Sequence, residues 1–255
     1  MTHAGRLLAA ALLLGAGAAG AQPTSLSLVD AARARPVAVL LYQPANPGRC
    51  TPASPCGVAL LSHGYGIARN EYGFLAEALA RRGYLVASIG HAAPGDPKMD
   101  PNGDLPRQRA EMARLGAANI RFVHTTLART YPGYAWDHTL LVGHSLGGDA
   151  SSWLAATDPA GIAALVTLDN RRAALPRSQR IRVLSLRAAD TGADPGVLPT
   201  AEEAARFKSC IVPLANSRHD DMLDSGPAEL KERIVAAVLA FLAPNAASCP
   251  ADGVQ

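Results

Sequence analysis

The stretch Gly143-His144-Ser145-Leu146-Gly147 matches the pattern G-x-S-x-G and decides how the chain is interpreted. Residues 138–142 before it are short and apolar like a strand, and residues 148–156 after it are typical of a helix. A strand, a sharp turn and a helix are the context in which this pattern forms a nucleophile elbow. The serine of such an elbow has a strained backbone, which requires small residues two positions before and after it. We therefore predict that Ser145 is a nucleophile beside a helix N-terminus, where negative charge is favoured.

Segments typical of strands and helices alternate from about residue 36 onward. The strands are predicted at 36–42, 58–62, 84–89, 138–142, 162–168, 181–186 and 210–214, and the helices at 72–82, 107–130, 148–156, 200–207 and 227–242. This alternation predicts an α/β fold with a mostly parallel sheet and helices on both faces. The carboxyl ends of parallel strands then share one edge, where ligands bind. The short segment between 168 and 181 leaves no room for a large lid domain.

The first 21 residues have the features of a secretory signal peptide. His3 and Arg6 give a weakly basic start, residues 7–14 are apolar, and Ala19-Gly20-Ala21 supplies a small-residue cleavage site. The apolar stretch is shorter than a transmembrane helix needs. We predict a signal peptide at 1–21 and a single domain at 22–255 that starts at Gln22. The mature protein is expected to be secreted or periplasmic, without a membrane span, in a bacterium.

The overall charge and the cysteines narrow the choice of partners. The net charge of +3 is spread along the 255 residues, so no nucleic-acid partner is expected. The four cysteines are not arranged as C-x-x-C, so no metal site is expected, and an exported chain with an even number of cysteines suggests disulfides. We predict the pairs Cys50–Cys56 and Cys210–Cys249, the second of which would hold the C-terminal tail.

The partners that a serine nucleophile needs follow it in the chain. His219 is the only histidine after Ser145, and it follows the last predicted strand, where the general base of this architecture lies. The acid is open, because Asp169, Asp190 and Asp194 each follow a strand that ends at the same edge.

The loop His63-Gly64-Tyr65 follows the second predicted strand, at the place that normally supplies an oxyanion-hole N–H group. We assign the two donors to the backbone of Tyr65 and Leu146. His144 is predicted to be a packing residue whose side chain points away from that of Ser145.

The chain resembles the α/β-hydrolase superfamily over residues 36–243. His63-Gly64-Tyr65-Gly66 and the later segment 79–89 are similar to the platelet-activating-factor acetylhydrolase and chlorophyllase branch, and cutinase-like polyester hydrolases share the Gly-Tyr loop. In the acetylhydrolase branch the acid follows the strand after the elbow, which implies Asp169. In cutinase-like relatives it follows the next strand, which implies Asp190. We prefer Asp169 and keep Asp190 as the alternative.

These features predict a secreted serine hydrolase that cleaves carboxylic esters through an acyl-enzyme intermediate. No cofactor is required, the substrate is expected to be a small-molecule or lipid-like ester, and the protein is expected to be a monomer. The alternatives are an amidase or peptidase with the same triad, and a non-catalytic binding protein with a hydrolase fold. Arg171 and Arg172 lie at the predicted site edge, where they would form a solvated basic loop or attract an anionic substrate group.

Overall fold

The structure is a computed structural model that describes residues 22–244 and 249–250. The predicted signal peptide at 1–21 lies outside these residues. Within the described ranges, no helix combines the length and apolar character that crossing a membrane requires.

One eight-stranded sheet forms the centre of the fold, in the order β1-β2-β4-β3-β5-β6-β7-β8. The pairs β1–β2 and β2–β4 are antiparallel, and all other neighbouring strands are parallel. The strands are β1 (Thr24–Asp30), β2 (Arg35–Tyr42), β3 (Val58–Ser62), β4 (Leu85–Ile89), β5 (Thr139–His144), β6 (Ile162–Leu168), β7 (Arg182–Arg187) and β8 (Cys210–Pro213).

Helices cover both faces of the sheet, as the sequence predicts. The helices are α1 (Gly73–Arg81), α2 (Leu105–Thr130), α3 (Leu146–Thr157), α4 (Ala201–Phe207) and α5 (Ala228–Phe241). Apolar side chains of α1 and α5 pack on one face, and those of α2 and α3 pack on the other. The inner strands β3 and β4 are buried at every position, as expected for strands covered on both sides. The predicted mostly parallel α/β fold is confirmed.

The edge strand β1 was not predicted from the sequence. Its residues alternate, with Ser25 and Ser27 exposed and Leu26 and Leu28 half-buried against the sheet. This two-residue period is the signal of a half-buried strand, but the segment lies next to the predicted cleavage site and was not assigned. The elbow strand also runs two residues further than predicted, to His144.

Two disulfides join the predicted cysteine pairs, Cys50–Cys56 and Cys210–Cys249. Cys56 lies just before β3, and its backbone pairs with Gly133 and Ala135 ahead of β5. Cys210 is the first residue of β8. Both disulfides are therefore located at the amino ends of parallel strands, and the second one holds the C-terminal tail.

Removing the longer disulfide should destabilise the protein more than removing the shorter one. A disulfide stabilises the folded protein by lowering the conformational entropy of the unfolded chain. This contribution is about 4 kcal/mol for a separation of 39 residues and about 2 kcal/mol for a separation of 6. Urea unfolding of Cys249→Ser and of the double variant Cys50→Ser/Cys56→Ser measures both losses. A larger loss for the double variant would contradict this expectation.

Candidate active site

The turn at Ser145 has the geometry of a nucleophile elbow. Ser145 has φ 53° and ψ −121°, a backbone region that costs a non-glycine residue strain energy. A Cβ atom on Gly143 would clash with the Gly147 carbonyl oxygen, and one on Gly147 would clash with the carbonyl oxygen of Ser62. Both positions therefore require glycine. The strand β5 ends and α3 begins at this turn, which places Ser145 at the carboxyl edge of the sheet.

Residues from three separate loops form a continuous chain of contacts at this edge. The Nε2 atom of His219 lies 2.9 Å from Ser145 Oγ, and its Nδ1 atom lies 2.6 Å from Oδ2 of Asp169. Because an ionised carboxylate only accepts hydrogen bonds, Nδ1–H is the donor to Asp169. Nε2 is then free to accept the proton of the Ser145 hydroxyl. This is the arrangement by which a base activates a serine.

Asp169 is fully buried and surrounded by donors. Its Oδ2 atom also accepts from the Thr191 hydroxyl at 2.7 Å, and Oδ1 accepts from the Ala188 N–H group at 3.2 Å. The Arg187 guanidinium, itself largely buried, lies 2.8 Å from Oδ1. Burial opposes the ionisation of Asp169, but the hydrogen bond from His219 and the charge of Arg187 outweigh it and lower its pKa. The carboxylate therefore stays ionised at neutral pH.

The lowered pKa of Asp169 has a consequence for stability in acid. A carboxylate whose pKa is lower in the folded protein stabilises it above the unfolded value of about 4, and the gain is lost as the pH falls through the folded pKa. Between about pH 6 and about pH 3 the wild type should therefore lose more unfolding free energy than Asp169→Asn, which has no such group to protonate. Urea unfolding at both pH values measures this difference. Equal losses in the two proteins would contradict the expectation.

The alternative acids contact other groups. Oδ1 of Asp190 accepts from the backbone N–H group of His219 at 2.8 Å, and its Oδ2 atom lies 3.9 Å from Arg218. Asp194 forms an ion pair with Arg172. Asp190 thus fixes the loop that carries His219, whereas only Asp169 of the three contacts the imidazole ring.

His144 has more than the packing role predicted from the sequence. Its Nε2–H group donates to the His219 carbonyl oxygen at 3.1 Å, and its Nδ1 atom accepts from the Tyr72 hydroxyl at 2.9 Å. The Tyr72 hydroxyl in turn accepts from the Gly64 N–H group at 3.0 Å. Burial, followed by the adjacent His219, lowers the pKa of His144 to about 3, so the ring is neutral. The loop at Gly64 and the loop at His219 are therefore connected through one buried histidine.

Replacing Tyr72 by phenylalanine should reveal this connection. The variant leaves the Gly64 N–H group and His144 Nδ1 without their partner, which should cost about 2 kcal/mol of unfolding free energy. Urea unfolding measures the loss. Tyr84→Phe is a matched control, because the structure shows no hydrogen bond from the Tyr84 hydroxyl to any residue that it describes. Equal stability of the two variants would contradict the expectation.

The residues assigned to the oxyanion hole lie beside Ser145. A cavity of about 220 Å³ is lined by Tyr65, Leu146, Ser145 and His219 together with other side chains. A Cβ atom on Gly64 would lie 3.3 Å from Ser145 Cβ, so the loop after β3 passes directly over the elbow. Among residues 22–244 and 249–250, no group of three or more histidine, cysteine or acidic side chains is placed to hold a metal ion.

No protein-family model matches the chain, and no curated protein matches its sequence. Solved structures do match. A ferulic acid esterase from Streptomyces cinnamoneus is similar with a TM-score of 0.60 and 22% identity, covering 86% of this chain and 88% of that one. Esterase 2 of Thermogutta terrifontis, phosphorylated by paraoxon, has a TM-score of 0.62 and 14% identity over 88% and 96% of the two chains.

A dienelactone hydrolase from Anabaena variabilis is also similar, with a TM-score of 0.57 and 15% identity over 86% of this chain and 96% of that one. At identities this low the likeness is one of fold. Together with the sheet order and the elbow at Ser145, it shows that the chain has the α/β-hydrolase fold.

Proposed function

We propose that this protein is a serine hydrolase that cleaves carboxylic esters with Ser145, His219 and Asp169. The observation that carries the proposal is the unbroken chain of contacts from Ser145 Oγ through both nitrogens of His219 to Asp169. A buried carboxylate, a histidine and a serine on a strained turn together give a hydroxyl that can be deprotonated at neutral pH. The esterases and the dienelactone hydrolase that share the fold support this choice.

In this proposal, hydrolysis takes place in two chemical steps. Ser145 Oγ attacks the ester carbonyl carbon while His219 Nε2 takes its proton, and the resulting oxyanion is held by the backbone N–H groups of Tyr65 and Leu146. The carbon–oxygen bond to the alcohol then breaks as His219 returns the proton to the leaving oxygen. Water, deprotonated by His219, then attacks the acyl carbon. The bond from that carbon to Ser145 Oγ breaks, which releases the acid, and His219 returns the proton to Oγ. Asp169 keeps the ring in the required tautomer and stabilises the imidazolium form.

A fluorophosphonate probe tests the nucleophile directly. The probe should label Ser145, and mass spectrometry of the labelled peptide 138–153 identifies the modified residue. Mature protein that hydrolyses a short ester but carries the label on another residue would refute the assignment. Absence of both labelling and turnover would favour a binding protein. Matched ester and amide substrates separate an esterase from an amidase.

We also propose that the protein is secreted or periplasmic and that residues 1–21 are removed. The two disulfides support this location, because such bonds persist in oxidising compartments. N-terminal sequencing of the protein exported by a bacterial host should give Gln22 as the first residue.

A further inference from the structure

Three arginines line the small cavity that contains Ser145. Arg109 comes from α2, and Arg171 and Arg172 follow β6. The Nη2 atom of Arg171 lies 3.4 Å from His219 Nε2, so this guanidinium is next to the atom that would protonate a leaving alcohol. Three positive charges therefore lie at or near the reacting centre.

The three guanidinium groups differ in their partners. Arg172 forms an ion pair with Asp194. In the part of the chain that the structure describes, neither Arg109 nor Arg171 forms an ion pair with a carboxylate. Both side chains are half-buried. Partly desolvated guanidinium groups that face a cavity without an anion are suited to binding one from a ligand.

The carboxylates that line the cavity form no ion pairs with the side chains of these two arginines in the described residues. Oδ1 of Asp149 accepts the backbone N–H groups of Arg171, Arg172 and Ala173 at 3.2, 2.8 and 2.9 Å. Asp149 is thus used to hold the loop that carries Arg171. Asp220 is exposed at the rim of the cavity. Arg109 and Arg171 remain available for a bound anion.

A second, larger cavity adjoins the first. It has a volume of about 680 Å³, and Tyr65 and Leu146 line both cavities. Met112, Leu115 and Ala150 give it an apolar wall. A substrate whose carbonyl lies over Ser145 can therefore place a charged group in the first cavity and an apolar group in the second.

We propose that the natural substrate is an ester whose alcohol part carries a carboxylate, bound by Arg171 and Arg109, and whose acyl part is apolar. The inference rests on the proposed ester hydrolysis at Ser145. The alcohol part is assigned to the arginines because Arg171 lies beside His219 Nε2, where the leaving oxygen must be protonated. A carboxylate matches the planar fork of a guanidinium, which binds it through two parallel hydrogen bonds.

Two esters that differ only in charge test this proposal. The substrates are 4-acetoxybenzoate and 4-acetoxybenzamide, and each kcat/KM is divided by the rate of spontaneous hydrolysis of the same ester. The normalised kcat/KM of the wild type should be about 10- to 100-fold higher for the carboxylate ester. This is the ratio that the free energy of a charge-assisted hydrogen bond produces. Arg171→Gln and Arg109→Gln should each lower this preference at least severalfold. High salt should lower it in the wild type as well.

Arg107→Gln is the matched control for Arg109→Gln. Arg107 lies on the same helix, is exposed and pairs with Glu111, so the variant removes the same charge away from the cavity. It should keep the preference of the wild type. An equal loss in this variant would show that overall charge, and not the cavity, sets the preference, and would overturn the proposal.

The two substrates also separate this inference from the proposed function. Equal turnover of both esters by the wild type would overturn the anion site while leaving the serine hydrolase intact. No turnover of either ester, with no labelling of Ser145, would refute the hydrolase and the anion site together. A second pair, monophenyl adipate and phenyl adipamate, places the charge on the acyl side. A preference for the charged member of this pair alone would overturn the assignment of the arginines to the alcohol.

Discussion

Ser145→Ala should lower kcat for a short p-nitrophenyl ester by about 10⁶-fold, the size of loss that follows removal of a triad serine. The reason is that the acyl-enzyme cannot form without Oγ, and His219 has no hydroxyl to deprotonate. Only the oxyanion donors and substrate binding would remain, and these give a small residual acceleration over water. Initial rates with highly purified protein, corrected for spontaneous hydrolysis, measure the loss.

Ser152→Ala is the matched control for this experiment. Ser152 is buried in the same helix, and its hydroxyl has no hydrogen-bond partner among the residues that the structure describes. The variant also removes a serine Oγ atom, less than two helical turns from Ser145. It should keep kcat within about twofold, because it breaks no hydrogen bond and places no new group in the core. A Ser145→Ala protein with activity near that of the control would show that the hydrolysis occurs elsewhere.

Asp169→Asn should lower kcat by about 10⁴-fold, by analogy with the loss of a triad carboxylate in another serine hydrolase. An amide at this position can present its N–H₂ group to His219 Nδ1, which would favour the tautomer with the proton on Nε2. That tautomer cannot accept the proton of Ser145. The amide also cannot stabilise the imidazolium. Initial rates at saturating ester measure kcat, and circular dichroism checks the fold, since the buried Arg187 loses its anionic partner.

Asp190→Asn is the comparison that distinguishes the two candidate acids. Within the described ranges, Asp190 accepts one hydrogen bond, from the backbone N–H group of His219 to Oδ1, and the carbonyl oxygen of asparagine can accept the same bond. We expect a loss of kcat below about tenfold, because hydrogen bonds of this kind contribute about 1 kcal/mol. A loss near 10⁴-fold for Asp190→Asn, with little effect of Asp169→Asn, would reverse the assignment.

The sequence was sufficient to predict the elements whose residues form a clear pattern over a few consecutive positions. The parallel strands are continuous apolar runs, and the elbow needs glycine at fixed positions, so both are visible without a structure. The edge strand β1 was missed although its residues alternate, because the segment lies next to the predicted cleavage site. The order of β1 and β2 at that edge depends on pairing between segments, which a single sequence does not display.

The aspartate that contacts His219 could not be identified from the residues alone. Asp169, Asp190 and Asp194 all follow strands that end at one edge. Which of them reaches the His219 ring depends on the conformations of loops only a few residues long. Asp169 has φ 52°, a left-handed conformation that turns its side chain back toward His219. The hydrogen bonds of His144 were missed for a similar reason, because Tyr72 is 72 residues away in the chain.

The disulfides and the candidate catalytic groups occupy opposite ends of the sheet. Ser145, Asp169 and His219 follow the carboxyl ends of strands, whereas Cys56 and Cys210 stand at the amino ends. Among the residues that the structure describes, no cysteine contacts Ser145, Asp169 or His219. Protein produced in a reducing cytoplasm should therefore turn over ester at the normal rate while it remains folded, but should inactivate sooner on storage or heating. Oxidative refolding would then extend its working life without altering its chemistry.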